Sequence, residues 1–254
     1  MNKTALITGA SSGFGYEFVK LFVKDNYNLI LVARNIEKLE EIKREFSGVE
    51  ITVIQKDLTL SGAVKELYGE IKEKGLNIDV LVNNAGFGLL GEFYKLDIEK
   101  QTNMIQLNVA VLTELTHYAL CEMKQRKSGK ILNVASTAAF QPGPLMAVYF
   151  ATKAYVLSFS EALVEELKGT GITITTLCPG ASKTNFGKVA SVEKTKMFEK
   201  AMDADIVTQL GYDALMRGQR VIITGTLNKI GAYAAKFLPR SLAAKVAKLS
   251  AGEK

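Results

Sequence analysis

Over most of its length the chain alternates short, almost continuously apolar runs with longer segments of helical period, and few folds tolerate that alternation. The runs fall at 4–8, 28–33, 51–55, 80–83, 130–134, 173–178 and 221–224, and several, such as NLILVA, are apolar at both odd and even positions. A strand apolar on both faces belongs in a parallel sheet covered by helices on both sides. Segments 16–24, 36–46, 63–74, 98–125, 145–168 and 206–217 carry the i, i+3, i+4 apolar spacing of those helices. The prediction is an α/β fold: one doubly wound, mostly parallel seven-stranded sheet. Right-handed crossovers would gather the carboxyl ends of the strands on one edge, where ligands bind in such sheets. At 254 residues and 48% hydrophobic, the chain is long enough for a single large domain over 1–225.

The formal net charge of +6 is unevenly placed. From residue 229 onward there are six basic residues (Lys229, Lys236, Arg240, Lys245, Lys248, Lys254) and one acid, Glu253, so the tail carries five of the six net charges. The near-neutral body shows neither basic residues interleaved with aromatics nor a docking motif, which argues against nucleic acid as a partner. Residues 226–254 read as a basic amphipathic helical extension: Ile230, Tyr233 and Phe237 recur at helical spacing before Pro239, and Leu242, Val246 and Leu249 after Ser241. Packing on the body or on a partner subunit is the favoured use of these stripes, with a membrane-surface or acyl-carrier contact as the alternative. No signal-peptide pattern precedes the first strand and no apolar run approaches a membrane span. Cys121 and Cys178 sit in apolar-periodic segments without metal-ligand spacing, so both are expected as buried thiols in a reducing cytoplasm. His117, the only histidine, has no partner carboxylate in sequence and is expected as core or interface packing; no metal site is expected.

Three motifs carry chemistry. The first strand ends in TGASSGFG, Thr8 to Gly15, and runs into an apolar helix. Glycines there let backbone approach a ligand closely, and the amides of a helix start favour a pyrophosphate, although a tight turn needs glycine for steric reasons as well. The second strand ends in Ala33-Arg34, where a dinucleotide site preferring NAD commonly places an acid. Arg34 can pair with a 2′-phosphate, its planar fork suiting phosphate, so NADP is expected over NAD; a solvated arginine starting the next helix is the alternative. Tyr149 and Lys153, four residues apart, share one face of a helix, thirteen residues after Ser136.

TGASSGFG, Asp57-Leu58, Asn83-Asn84-Ala85-Gly86, Asn108, Ser136, Tyr149-x-x-x-Lys153 and Pro179-Gly180 occur in the order that resembles the short-chain dehydrogenase/reductase family, over residues 3–225. The segment NNAGFGLLGEF and the tail are similar to a bacterial branch of broad carbonyl reductases related to 3-ketoacyl reductases. The resemblance implies a Rossmann-type domain and NADP(H) as cofactor. It implies contacts from Gly9, Ser11, Ser12, Gly13, Phe14 and Gly15 to the cofactor, from Asp57 and the Leu58 amide to adenine, and from Asn84, Ala85 and Gly86, with Asn83, around the adenine ribose. Tyr149 would be the general acid in reducing a ketone or aldehyde and the base in reverse. Lys153 would bind the nicotinamide ribose and lower the phenol's pKa, and Ser136 would hold the substrate oxygen. Asn108 would hold a water connected to Lys153. Pro179, Gly180 and Thr184 would meet the nicotinamide, and the stretch 184–203, with Val189, would close over a small-molecule carbonyl substrate.

The expected assembly is a homodimer or homotetramer. Two rivals stand beside the enzyme: a cofactor-binding regulator without turnover, and a lipid-surface protein working through its tail. Substrate identity, direction and stereochemistry are open.

Overall fold

The computed structural model describes residues 2–193, 195–198 and 201–252. All seven expected strands form one parallel sheet: β1 (Thr4–Thr8), β2 (Asn28–Ala33), β3 (Ile51–Gln55), β4 (Val80–Asn83), β5 (Gly129–Val134), β6 (Ile172–Cys178) and, after a separate two-residue pair β7 (Ser182–Lys183) and β8 (Met202–Asp203), the edge strand β9 (Val221–Ile223). The order is β3-β2-β1-β4-β5-β6-β9. Strand order reverses beside β1, where β4 takes over from β2, and that switch opens a crevice beyond the strand ends.

Helices cover both faces. On one side α1 (Gly13–Lys24), α2 (Ile36–Glu45) and α8 (Ala204–Met216) pack on alternate strand residues such as Ile7, Leu31 and Val82, with Phe18, Phe22 and Leu215 buried among them. On the other, α3 (Ala63–Glu73), α5 (Leu112–Arg126) and α6 (Ala147–Glu166) cover residues such as Leu6, Ile30, Leu81 and Ile131. Successive residues of one strand thus feed opposite cores, which is why the strands read as unbroken apolar runs. In α2, Leu39 and Ile42 are buried while Lys38 and Glu41 pair at 2.6 Å on the outside.

Three features depart from the expectations. The helix read over 98–125 is not uniform: α4 (Ile98–Ile105) and α5 are joined by a π-helical stretch, Gln106–Val111, that contains Asn108. A residue's worth of extra winding is a device that periodicity cannot display, and such stretches collect at functional sites. Cys121 is exposed, unlike buried Cys178. His117 is exposed too, so of the expected core or interface packing it does not take the core, and its Nε2 lies 3.7 Å from the Cys121 sulfur. The buried face of α5 runs through Leu112, Leu115, Thr116, Ala119 and Met123, and 117 and 121, one turn apart, fall outside it.

The chain ends in α7 (Phe186–Val189), a single turn after β7, and in α9 (Thr226–Phe237) and α10 (Arg240–Ala251) after β9. The extension does not bury the expected large apolar stripes. Its buried residues are Ala232, Ala243, Ala247 and Ala251, whereas Ile230, Tyr233, Phe237, Leu242, Val246 and Leu249 are exposed. Alanine's small side chain lets the helix backbone approach the body closely, a use of that residue which a hydrophobicity pattern does not reveal.

Candidate active site

A cleft of about 1250 Å³ runs along the carboxyl ends of the strands, from Arg34 and Asp57 at one end, past the glycine turn, to Tyr149 and the Phe186 segment at the other. Nearly every residue singled out in the sequence lines it: Gly9, Ser11, Ser12, Gly13, Phe14, Arg34, Asp57, Leu58, Asn84, Ala85, Gly86, Ser136, Tyr149, Lys153, Pro179, Gly180, Thr184 and Val189. Gly15, Asn83 and Asn108 do not, and they lie behind the wall.

The turn after β1 is built to be thin. Gly9 and Gly13 have φ of +65° and +55°, a region that favours glycine. A Cβ at Gly9 would lie 3.0 Å from Asn84 Nδ2, and one at Gly15 would lie 2.1 Å from the Gly9 carbonyl oxygen. Gly15 is therefore required by packing of α1 onto its own entry turn rather than by a ligand. Ser12 leads into α1 without a side-chain cap, so the first-turn amides have no side-chain acceptor. Thr8, which sequence reasoning passed over, joins this turn to β4: its hydroxyl accepts from the amides of Asn84 and Ala85 at 3.1 and 3.0 Å, and Asn84 Nδ2 donates to the Thr8 carbonyl at 2.9 Å. Asn83 instead points into the sheet, bonding Thr116 and Asn133.

At the far end of the cleft Arg34 is exposed and has no carboxylate within ion-pair distance among the described residues. Burial works against the Asp57 carboxylate, but the hydroxyl and amide of Thr59 and the nearby Arg34 charge bring it below the usual carboxylate range. Lys56 beside it is paired with Glu66 at 3.2 Å.

At the other end, Tyr149 and Lys153 are both buried on α6, and Lys153 Nζ lies 5.8 Å from the centre of the Tyr149 ring. Lys153 Nζ donates to the Val134 carbonyl at 2.7 Å. Burial pushes the Lys153 ammonium down to about 8 and the Tyr149 phenol up to about 12, with the Ser136 hydroxyl drawing the phenol the other way. The expected lowering of the phenol by the lysine is thus not supplied by the protein alone: burial raises the phenol, only the Ser136 hydroxyl opposes it, and the phenol stays protonated. Ser136 Oγ accepts from the Ala138 amide at 3.1 Å and reaches the Pro179 carbonyl at 3.4 Å, which ties the end of β5 to the Pro-Gly turn.

Asn108 explains the π-helical stretch. Its side chain accepts from the Phe87 amide at 3.2 Å and donates to the Phe87 carbonyl at 3.0 Å and to Thr152 Oγ1 at 3.1 Å. A Cβ on Gly86 would meet Asn108 Oδ1 at 2.9 Å, so that glycine admits the Asn108 side chain behind the cleft wall. Asn108 thereby fixes the strand-end turn against the helix that carries Tyr149 and Lys153.

The stretch after the Pro-Gly turn is closed at its base by the β7–β8 pairing and by Lys183 and Asp203 at 2.8 Å. Thr184 sits on the glycine turn, its Cβ 3.3 Å from where a Gly13 Cβ would be. Apolar walls enclose the Tyr149 end: Phe87, Leu89, Met146 and Phe150, unforeseen in sequence, line it together with Phe186 and Phe198 from the stretch expected over the substrate, the Phe186 ring lying 5.3 Å from that of Tyr149. The terminal helices contribute as well. Asn228 packs where a Gly180 Cβ would stand, 2.2 Å from its Nδ2, and Ala247 and Ser250 line the cleft. Spacing within one segment can find a Tyr-x-x-x-Lys, but it cannot show that an alanine a hundred residues later borders the same cavity.

Known proteins share this arrangement. The family model described as short chain dehydrogenase matches residues 3–195. Human 17-beta-hydroxysteroid dehydrogenase type 3 is 35% identical over 219 residues, which cover 84% of this chain and 68% of that protein. The NADP-dependent 3-hydroxy acid dehydrogenase YdfG of Escherichia coli K12 is 36% identical over 186 residues, 72% of this chain and 75% of its own. A short-chain dehydrogenase from Sphingobium yanoikuyae, solved in complex with NADPH, superposes with a TM-score of 0.81 at 30% identity over 91% of this chain and 92% of that one. With the glycine turn, the buried Tyr149 and Lys153 and the sheet order all in place, the chain belongs to the short-chain dehydrogenase family, oxidoreductases that work with a nicotinamide cofactor.

Proposed function

We propose that the protein is an NADP-dependent reductase that interconverts a ketone or aldehyde and the corresponding alcohol. The observation that carries this reading is the cleft itself: an exposed guanidinium at one end, a glycine cradle in the middle, and a buried phenol, ammonium and hydroxyl at the other. The cradle suits a dinucleotide because Gly9 and Gly13, with positive φ and no side chains, border the cleft and the first-turn amides of α1 have no side-chain cap. Gly9, Ser11, Ser12, Gly13 and Phe14 would surround the pyrophosphate, Asp57 and Leu58 the adenine, and Asn84, Ala85 and Gly86 the adenine ribose, with Pro179, Gly180 and Thr184 at the nicotinamide. Arg34 would bind the 2′-phosphate, in keeping with the NADP named for the bacterial relative.

A nicotinamide held there would supply the hydride for the carbonyl carbon. As negative charge grows on the carbonyl oxygen, the Ser136 hydroxyl donates a hydrogen bond to it and Tyr149 delivers its proton, leaving an alcohol. Burial, which holds the phenol near 12, suits it to keep that proton until charge appears. Lys153 then stabilises the phenolate, and Asn108 keeps the strand-end turn and Thr152 in register with both groups. The apolar walls around Tyr149 exclude water and suit a carbonyl compound with an apolar portion.

The cytoplasm is the proposed compartment, consistent with two free thiols. A homodimer or homotetramer is proposed because Ile98 and Ile105 on α4 and Tyr155 on α6 expose apolar surface. The test of function is cofactor oxidation by the purified protein with NADPH and, separately, NADH, across short aldehydes, aromatic ketones, 3-oxoesters and a 3-ketoacyl thioester. Turnover that prefers NADPH supports the reading. Tight NADPH binding with no turnover on any carbonyl would favour the regulator instead.

A further inference from the structure

Helices α9 and α10 reverse the usual rule of burial. Small residues face the body: Ala232 on α9, and Ala243, Ala247 and Ala251 on α10. Large apolar side chains face away, Phe237 being 88% exposed, Leu249 74%, Leu227 69% and Ile230 60%. Exposed apolar residues scattered singly need no explanation, but two successive helices with this pattern present a patch of the kind that marks a contact.

Charge decides what it contacts. Lys229, Lys236, Arg240, Lys245 and Lys248 are all exposed on these helices or at their ends, and neither helix contains an acid. A second copy meeting this face would set like charges against like, which opposes association. A layer of anionic headgroups meets both requirements at once: it neutralises the cations while the apolar side chains enter the acyl boundary beneath. We propose that α9 and α10 dock the protein on an anionic membrane surface. Among the described residues no helix is long and apolar enough to cross a membrane, so the contact is with the surface. Because Asn228 of α9 and Ala247 and Ser250 of α10 line the cleft, docking would bring a wall of the cavity close to the bilayer, where an apolar carbonyl compound is concentrated.

Cosedimentation of the full chain with vesicles of phosphatidylcholine, with and without phosphatidylserine, tests this. Two double variants avoid the cleft: Lys229→Gln with Lys245→Gln, and Phe237→Ser with Leu249→Ser. The native protein should pellet with the serine-containing vesicles and be released by salt. The charge variant should lose roughly 20-fold in partitioning. The apolar variant should also detach, with an unchanged melting temperature showing that it folds. A native protein left in the supernatant with both vesicle types would overturn the proposal, as would binding that neither variant alters. Should the apolar variant instead lower the mass in solution while the native protein ignores vesicles, the face belongs to a second copy.

Discussion

Replacing Lys153 with methionine should remove a specific part of the protein's alkaline pH dependence. The folded protein holds this ammonium at about 8 against an ordinary 10.5, because burial leaves it with little solvent and one carbonyl partner at 2.7 Å. At about 1.4 kcal/mol per unit, the charged form is penalised by about 3 kcal/mol in the folded state. The sign follows from proton counting. Between the two values the unfolded chain binds a proton that the folded chain has released, so unfolding becomes harder as pH rises. The penalty is present in full below about 8 and gone above 10.5. Tyr149, raised to about 12, acts oppositely, with stability falling as pH climbs above the ordinary tyrosine value of 10 toward 12, so the useful window ends near 10. Urea unfolding of native and Lys153→Met protein, without cofactor, from about pH 7 to about pH 10 should show the native-minus-variant difference rising by about 2.5 kcal/mol. A flat difference would refute the claim that desolvation governs this lysine, and a falling one would mean that an anionic partner holds its charge.

Other substitutions probe the rest of the cleft. Arg34→Leu should raise the KM for NADPH by about 10- to 100-fold and leave that for NADH unchanged, as expected when one charge-assisted contact is lost, and steady-state kinetics with both cofactors read this directly. Gly15→Ala should destabilise the fold by about 3 kcal/mol, since its Cβ would fall 2.1 Å from the Gly9 carbonyl and force α1 off its turn; a denaturant midpoint within error of the native one would contradict this. Asn108→Ala leaves both Phe87 backbone groups and Thr152 without their partner, so it should cost about 2–3 kcal/mol and lower kcat more than it raises KM.

The sheet and the helix that carries Tyr149 and Lys153 were legible because their signals are local. A parallel strand buried on both faces must be apolar throughout, and all seven runs were placed to within a residue or two. Tyr149 and Lys153 are one helical turn apart, so their shared face follows from geometry alone. What the sequence hid depends on distant partners. Gly15 reads like its neighbours in the glycine motif, but only the fold shows it pressed on the Gly9 carbonyl rather than lining the cleft. Asn108 sits in a π-helical stretch that has no hydrophobic period of its own. In the tail, amphipathicity marked Ile230, Tyr233 and Phe237 as a face that packs on the body or on a partner subunit, yet against the body it is Ala232 and the α10 alanines that are buried. Hydrophobicity patterns find the apolar side of a helix, and they do not distinguish a side turned to the core from one turned to another surface.

The central claim is that Tyr149 transfers the proton, and Tyr149→Phe tests it with least disturbance, since it removes one oxygen from a buried ring and leaves the neighbouring Phe186 packing intact. NADPH affinity by fluorescence titration and carbonyl reduction by absorbance would be measured on the same preparation. The account predicts unchanged binding with kcat reduced by about 10³-fold or more. Reduction within a few-fold of the native rate would contradict it.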